Sequence, residues 1–179
     1  MADLSLLVCS IHPRTEKLAR LLECLDSQPR AYLDRTQILV DIDDGCTIGA
    51  KRNRMIAAAK GRYVAFIDDD DLVTCDYLEH IFYGIDKGVD HVGVGMIYCN
   101  GRERTEVVCS MRNGWEKRDG KYLRPPQHVC AIRRSIAAKV RFPDVSFGED
   151  KAFAETVRPL VHTEHLTPPI YLYLWEPKC

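Results

Sequence analysis

Long apolar runs are missing from this 179-residue chain. The longest uncharged stretches, such as Leu4 to Ile11 and Tyr63 to Ile67, fall far short of the roughly 18 residues a membrane span needs. No membrane span is expected. Nor is a secretory leader, because Asp3 stands where a basic segment would be and no small-residue cleavage site follows the short apolar run. The eight cysteines form no close pair: Cys9, Cys24, Cys46, Cys75, Cys99, Cys109, Cys130 and Cys179 are scattered without a CxxC, which argues against a zinc ribbon or a thioredoxin-like site. They read as reduced, mostly buried small hydrophobes of a cytoplasmic protein. Repeats, low-complexity tracts and Pro/Gly/Ser-rich linkers are absent as well, so a second domain has no place to begin. Net charge is nearly absent at -1, yet it is unevenly spread, with 11 basic and 16 acidic side chains in residues 1–90 against 14 and 10 in residues 91–179. Most of the asymmetry lies in Arg102 to Arg141, which carries 11 Lys and Arg against 4 Asp and Glu. Such an excess is either a solvated surface or a face for an anionic partner.

What is present describes a globular domain. With 46% hydrophobic and 28% charged residues the chain can bury a real core, roughly 70% of its unfolded surface at this length. Its first ninety residues alternate between strand and helix patterns. Leu4 to Cys9 is a continuous apolar run, and Thr15 to Leu25 follows with Leu18, Leu21, Leu22 and Leu25 at helical spacing. Gln37 to Val40 is a second strand, Ile48 to Lys60 a helix closed by Gly61 as its cap, and Tyr63 to Ile67 a third strand. A helix over Asp76 to Ile85 and a strand over Val89 to Tyr98 complete the pattern, which predicts a parallel sheet covered on both faces. Beyond it, Glu106 to Met111, Lys121 to Leu123 and Ile170 to Trp175 read as strands, and Arg133 to Lys139 and Asp150 to Val157 as short helices.

The strongest chemical signal is the run Asp68, Asp69, Asp70, Asp71, directly after a buried strand. Four adjacent carboxylates repel one another, and a divalent cation is the simplest reason to gather them. Mg2+ or Mn2+ prefers hard oxygen ligands and takes one or two carboxylates plus substrate phosphates. Alternation at a strand end would aim Asp68 and Asp70 together and Asp69 elsewhere. The competing reading makes Asp71 a favourable charge at the start of the next helix. Parallel sheets bind ligands at the carboxyl ends of their strands, and here three such ends carry polar groups: Ser10 and His12, then Asp41, Asp43 and Asp44, then the acidic run. Lys51 and Arg52 are either cations for a diphosphate or part of a solvated helix face. Further on, Gly148 precedes Glu149 and Asp150 at a helix start, where Asp150 is a candidate general base.

Taken together, LSLLVCSIHPR, ILVDIDDG, IGAKRNRMIAAAKGRYVAFIDDDD and FGEDKAF resemble a GT-A-fold glycosyltransferase of the family 2 type in a compact form, over nearly the whole chain. The resemblance implies an α/β, single, Rossmann-like GT-A domain over 1–179, with 1–100 binding the nucleotide sugar and 101–179 supplying the acceptor site and catalytic base. It implies that Asp68 and Asp70 hold Mn2+ or Mg2+ as a DXD motif, with Asp69 a ribose or metal contact. Arg52 matches the family's ARN-like segment, and Asp41 or Asp43 matches the nucleotide-base contact. The connection from Asp41 to Arg52 is shorter than in the family, which leaves that contact open among Asp41, Asp43 and Asp44. Asp150 takes the catalytic base of an inverting transfer. A histidine from the C-terminal part often completes the metal site, and His128, His162 and His165 are candidates. The donor expected is a UDP-sugar. The acceptor is a glycan by default, or a hydroxylated base in phage DNA if the basic segment contacts phosphates; Trp115 and Tyr122 are candidates to stack on it. Two other classes are weighed. A nucleotidyltransferase would carry glycines after the first strand, where this chain reads Cys9-Ser10-Ile11-His12-Pro13-Arg14. A non-catalytic sugar-nucleotide-binding module would not need its acidic motifs intact.

Overall fold

The computed structural model describes residues 2–175. The apolar run β1 (Leu4–Cys9) is buried along its whole length because it lies between two parallel neighbours, β2 (Thr36–Asp41) and β3 (Tyr63–Phe66). β2 is the edge, and its Ile38 and Val40 stay partly exposed. Between β1 and β2 run α1 (Thr15–Asp26), which buries Leu21 and Leu25, and the short α2 (Arg30–Leu33). α3 (Ile48–Ala58) leads from β2 to β3, and its N-cap Thr47 hydroxyl accepts from the Ala50 amide at 3.1 Å.

Among the described residues the sheet has ten strands and is mixed rather than uniformly parallel. β4 (Leu72–Val73) follows the acidic run at once, and α4 (Tyr77–Asp86) packs Leu78, Ile81, Phe82 and Ile85 into the core. β5 (His91–Asn100), β6 (Glu103–Cys109), β7 (Glu116–Arg118) and β8 (Lys121–Arg124) extend the sheet outward. The joint between its halves is β9 (Ala131–Arg133), antiparallel to both β3 and β5. After α5 (Arg134–Ala137) and α6 (Glu149–Val157), the twelve-residue β10 (Glu164–Trp175) runs parallel to β5 and pairs antiparallel with β4. β10 thereby ties the C-terminal half to the segment carrying the four aspartates.

Three expectations change. Gly61 is not the cap of α3, which ends at Ala59 in extended geometry; a Cβ on Gly61 would lie 2.5 Å from the Leu4 carbonyl carbon, so its role is close backbone packing on β1. The helix over Arg133 to Lys139 contracts to α5 because Arg133 belongs to β9. Asp71 does not sit at a helix start: β4 follows it, and α4 begins at Tyr77. None of the seven described cysteines is in a disulfide; Cys9, Cys99, Cys109 and Cys130 are buried and Cys75 is exposed, while Cys179 lies outside the described residues.

Candidate active site

The carboxyl ends of β1, β2 and β3 open on one crevice. Asp68 to Asp71 form a turn beyond β3, in which the Asp71 amide donates to the Asp68 carbonyl at 3.1 Å. This turn, not strand alternation, separates the four carboxylates. The Asp68 and Asp70 side chains remain about one-third exposed, 32% and 30%, whereas Asp69 and Asp71 are buried. Asp69 accepts from the Ser10 hydroxyl at 2.6 Å and from Arg14 at 2.7 Å, which fastens the turn to the loop after β1. Asp71 accepts from the Tyr171 hydroxyl at 2.7 Å and the Leu174 amide at 2.8 Å, which fastens it to β10. Burial and the nearby Asp68 charge push the Asp71 carboxyl up to about 8.

Asp68 is the centre of a charged bridge. Its Oδ1 accepts from Arg52 at 2.9 Å, and its Oδ2 lies 3.2 Å from His128 Nε2. Arg52 reaches on to Glu149 Oε1 at 2.8 Å, so one guanidinium joins the acidic turn to the head of α6. Burial alone would raise the Asp68 pKa, but His128 and Arg52 outweigh it and hold this carboxyl well below its ordinary range. Asp70 is shifted upward, chiefly by burial and despite Arg14. Neither Lys51 nor Arg52 is a solvated cation. Lys51 is 3% exposed and donates to the Ser10 carbonyl at 2.6 Å, and Arg52 is 2% exposed. Both stand in the wall of the crevice. Cations at its surface are Arg14, 42% exposed, which lies 3.3 Å from Asp70 as well as contacting Asp69, and Arg20, which donates to the Asp70 carbonyl at 3.2 Å.

Beyond β2, Arg54 holds Asp41 at 2.7 Å and Asp43 at 3.1 Å, while Asp44 pairs with His12 at 2.8 Å. Asp41 is the more enclosed of the first two and Asp43 the more open, with 16% and 45% side-chain exposure. Across the crevice, Gly148 takes the left-handed φ of 80° at the N-cap of α6, turning the chain so that Glu149 is buried on Arg52 while Asp150 is half-exposed. Of the three candidate histidines only His128 joins the site; His162 and His165 lie beside Asp90 and Tyr83.

The donor set fits a hard divalent cation. Asp68 and Asp70 present oxygen at the crevice, and the buried His128 Nδ1 has no partner. Among the described residues no three His, Cys, Asp or Glu side chains form a self-sufficient metal cage. A Mg2+ or Mn2+ ion held there would take the rest of its shell from substrate phosphate and water. The residues that sequence reasoning passed over are Arg14, Glu149 and Tyr171. Arg14 stands within the quoted LSLLVCSIHPR, where a basic residue after the first strand was the available signal.

A sheet whose parallel strands end in carboxylates, closed by an antiparallel joint and a long C-terminal strand, is the GT-A glycosyltransferase fold. The chain belongs to glycosyl transferase family 2, whose sequence profile matches residues 45–141. That span includes Lys51, Arg52, the acidic turn and His128. Among solved structures the chain is similar to S. aureus TarS 1-349 in complex with UDP-GlcNAc, with 16% identity and a TM-score of 0.73 over 99% of this chain and 60% of that one. It is similar to the same protein in complex with UDP, at 18% identity and a TM-score of 0.72 over 99% and 61%. It is also similar to the mannosyltransferase PcManGT from Pyrobaculum calidifontis in complex with GDP-Man and Mn2+, at 16% identity and a TM-score of 0.62 over 97% and 56%. The chain thus spans about three-fifths of the length of these structures. No curated protein matches it. Among the described residues no helix is long and apolar enough to cross a membrane.

Proposed function

We propose that this protein transfers a sugar from a nucleotide-diphosphate donor to an acceptor hydroxyl with inversion at the anomeric carbon. The observation that carries the reading is the pairing of two outward carboxylates, Asp68 and Asp70, with Asp150 at the head of α6, held in one frame by the Asp68–Arg52–Glu149 bridge. Residues 1–100 would bind the donor, and 101–179 would supply the acceptor site and base. Asp68 and Asp70, with His128 beside them, would hold Mn2+ or Mg2+, which when bound neutralises charge on the donor diphosphate. Arg14 adds a cation on the same side; Asp41 or Asp43 would meet the nucleotide base, and Ser10 and Asp69 the ribose. Asp150 takes the proton of the acceptor hydroxyl as its oxygen forms the new bond to the anomeric carbon and the bond to the diphosphate breaks. A UDP-sugar is the favoured donor, supported by the UDP and UDP-GlcNAc complexes of the similar TarS structures.

A glycan is the favoured acceptor, and part of the basic segment is paired within the protein. Lys121 pairs with Glu106, Arg118 with Glu116 and Arg133 with Asp90. A polynucleotide footprint needs a row of free cations along a face. Asp150→Asn is expected to lower kcat for transfer by about 10²–10⁴-fold with donor binding retained, and Asp70→Asn to abolish metal-dependent donor binding. Full transfer by Asp150→Asn would remove the base from this account.

A further inference from the structure

On the side of the sheet away from β1, β5, β6, β8 and β10 enclose a cleft of about 330 Å³, within the lower range of small-ligand sites. Its walls are unusually aromatic for so small a domain. Tyr98 lies 5.3 Å from Tyr173 and 6.1 Å, edge-on, from Tyr122, and Trp175 adds a fourth ring two residues beyond Tyr173 on the same strand. Tyr173 and Trp175 are 39% and 41% exposed, so their faces are available to a ligand. The sheet register explains the cluster, since Tyr98 lies opposite Tyr173 and Val107 opposite both Met96 and Tyr122.

Two polar groups enter this aromatic box without a polar side-chain partner. Arg124 stacks over Tyr122 and Trp115, with its guanidinium carbon 4.9 and 5.3 Å from the ring centroids, and its hydrogen bonds go to the carbonyls of Leu123 and Glu116. Among the described residues no carboxylate pairs with it, whereas Arg112, Arg118 and Lys121 of the same segment are paired. Gln127, 9% exposed, makes no side-chain hydrogen bond to another described residue. A half-buried guanidinium held by aromatic faces and lacking a counter-ion is a prepared site for a phosphate or carboxylate.

The cleft neighbours the reacting centre on two sides. Gln127 adjoins His128, which contacts Asp68, and the strand carrying Tyr173 is pinned to Asp71 through Tyr171 and Leu174. On the other side Lys151, next to Asp150, lies 6.0 Å over the Trp115 ring that also stacks on Arg124. We infer that this cleft is the acceptor subsite and that its occupant is a saccharide bearing a phosphate or carboxylate, its ring stacked on Tyr173 and Trp175 and its anionic group on Arg124. The inference rests on the transferase reading for its purpose but makes a claim about binding that can be measured without turnover. A polynucleotide is less suited, because the cleft offers Arg124 and the Lys117 ammonium 5.1 Å over Tyr122 rather than a row of cations.

Trp175 lines the cleft and Trp115 stacks on the Arg124 that enters it, so tryptophan fluorescence reports occupancy. Titration of the full chain with glucose 6-phosphate, glucuronate, maltose, inorganic phosphate and a 20-nucleotide single-stranded DNA distinguishes the occupants. Glucose 6-phosphate or glucuronate should quench the emission with a Kd at least about tenfold below that of maltose or inorganic phosphate, and Arg124→Met should erase that preference. Tyr173→Ala should weaken the charged sugars, while Tyr173→Phe should restore them, which separates loss of the ring from loss of the fold; circular dichroism and melting temperature check each variant. Equal binding of maltose, an Arg124→Met variant with unchanged preference, no response to either charged sugar, or a response to the oligonucleotide alone would each overturn the proposal. Metal-dependent nucleotide binding is measured separately. Its failure would remove the transferase reading without moving this titration, and a silent cleft would leave donor binding intact.

Discussion

Arg52 spans the two parts of the site through one side chain. Its two terminal nitrogens hold Asp68 at 2.9 Å and Glu149 at 2.8 Å, it is 2% exposed, and its carbon lies 5.5 and 5.4 Å from the Phe66 and Phe142 ring centroids. Removing one member of a buried ion pair leaves the other uncompensated. Arg52→Met should therefore cost roughly 3–5 kcal/mol in urea unfolding, and most of that loss should return in the double variant Arg52→Met/Glu149→Gln. Strict additivity would show that the bridge is not the source of the loss. Arg52→Lys should recover little, because an ammonium cannot reproduce the fork that reaches both carboxylates. How far this was readable in the sequence differs by residue. The acidic run and Arg52 stand close together in the chain, and residue types alone mark them as a cluster. Glu149 lies 97 positions from Arg52, and nothing local tells a helix-start glutamate in solvent from one buried on an arginine. The same holds for Lys51: its burial against the Ser10 carbonyl, which removes it from any solvated helix face, is a tertiary fact.

At the scale of elements, α3 positions the segment that leads to Asp150. The Gly49 amide donates to the Val145 carbonyl at 3.1 Å, Asn53 brackets Phe142 through its carbonyl at 2.8 Å and amide at 2.9 Å, and the Thr47 hydroxyl donates to Asp144. Glycine is required at 49, where a Cβ would lie 1.9 Å from the Pro143 carbonyl oxygen. Gly49→Ala should push residues 143–145 off the helix, costing about 1–3 kcal/mol of stability while lowering kcat by about tenfold or more, because displacement of a catalytic group by an ångström is expensive. An unchanged kcat would show that the segment does not position the base. The long strands and helices of the first half follow from their apolar periods. The short elements that join the halves were hidden. β9 is three residues inside an apolar stretch, β10 begins six residues before its clear pattern and passes through Pro168 and Pro169, and β4 has two residues. The β7–β8 hairpin did carry a signal, Asp119-Gly120, both at positive φ as a two-residue turn requires.

For the whole molecule, the C-terminal strand decides how the fold responds to pH. His91 at the start of β5 is fully buried, with Nδ1 3.5 Å from Glu164 on β10. Burial alone lowers its pKa, but the Cys130 sulfur and the Glu164 carboxylate outweigh it and raise the imidazole to about 9. Burial likewise works to raise Glu164, yet His91, the Met111 amide and the Ser110 hydroxyl leave it lowered. Arg112, 3.8 Å from Glu164, and the Cys109 thiol are the other groups facing this contact. The stabilisation from His91 is complete below its ordinary value of about 6.5 and is lost as pH rises through about 9, while that from Glu164 is lost as pH falls below about 4.3. Melting temperature should therefore fall between pH 6.5 and 9, with the Asp71 carboxyl, raised to about 8, adding to the fall below pH 8, and His91→Gln should start lower and lose the part of the slope between pH 8 and 9. A variant with the same alkaline slope as the parent protein would assign the effect elsewhere.

The central claim is that the turn carrying Asp68 and Asp70 binds a nucleotide diphosphate together with a divalent cation. Isothermal titration of UDP and GDP into the protein, with and without Mn2+, measures it most directly when repeated on Asp70→Asn. One nucleotide should give a heat of binding that requires Mn2+ and disappears in the variant. Binding of equal strength without metal, or no binding of either nucleotide, would contradict it.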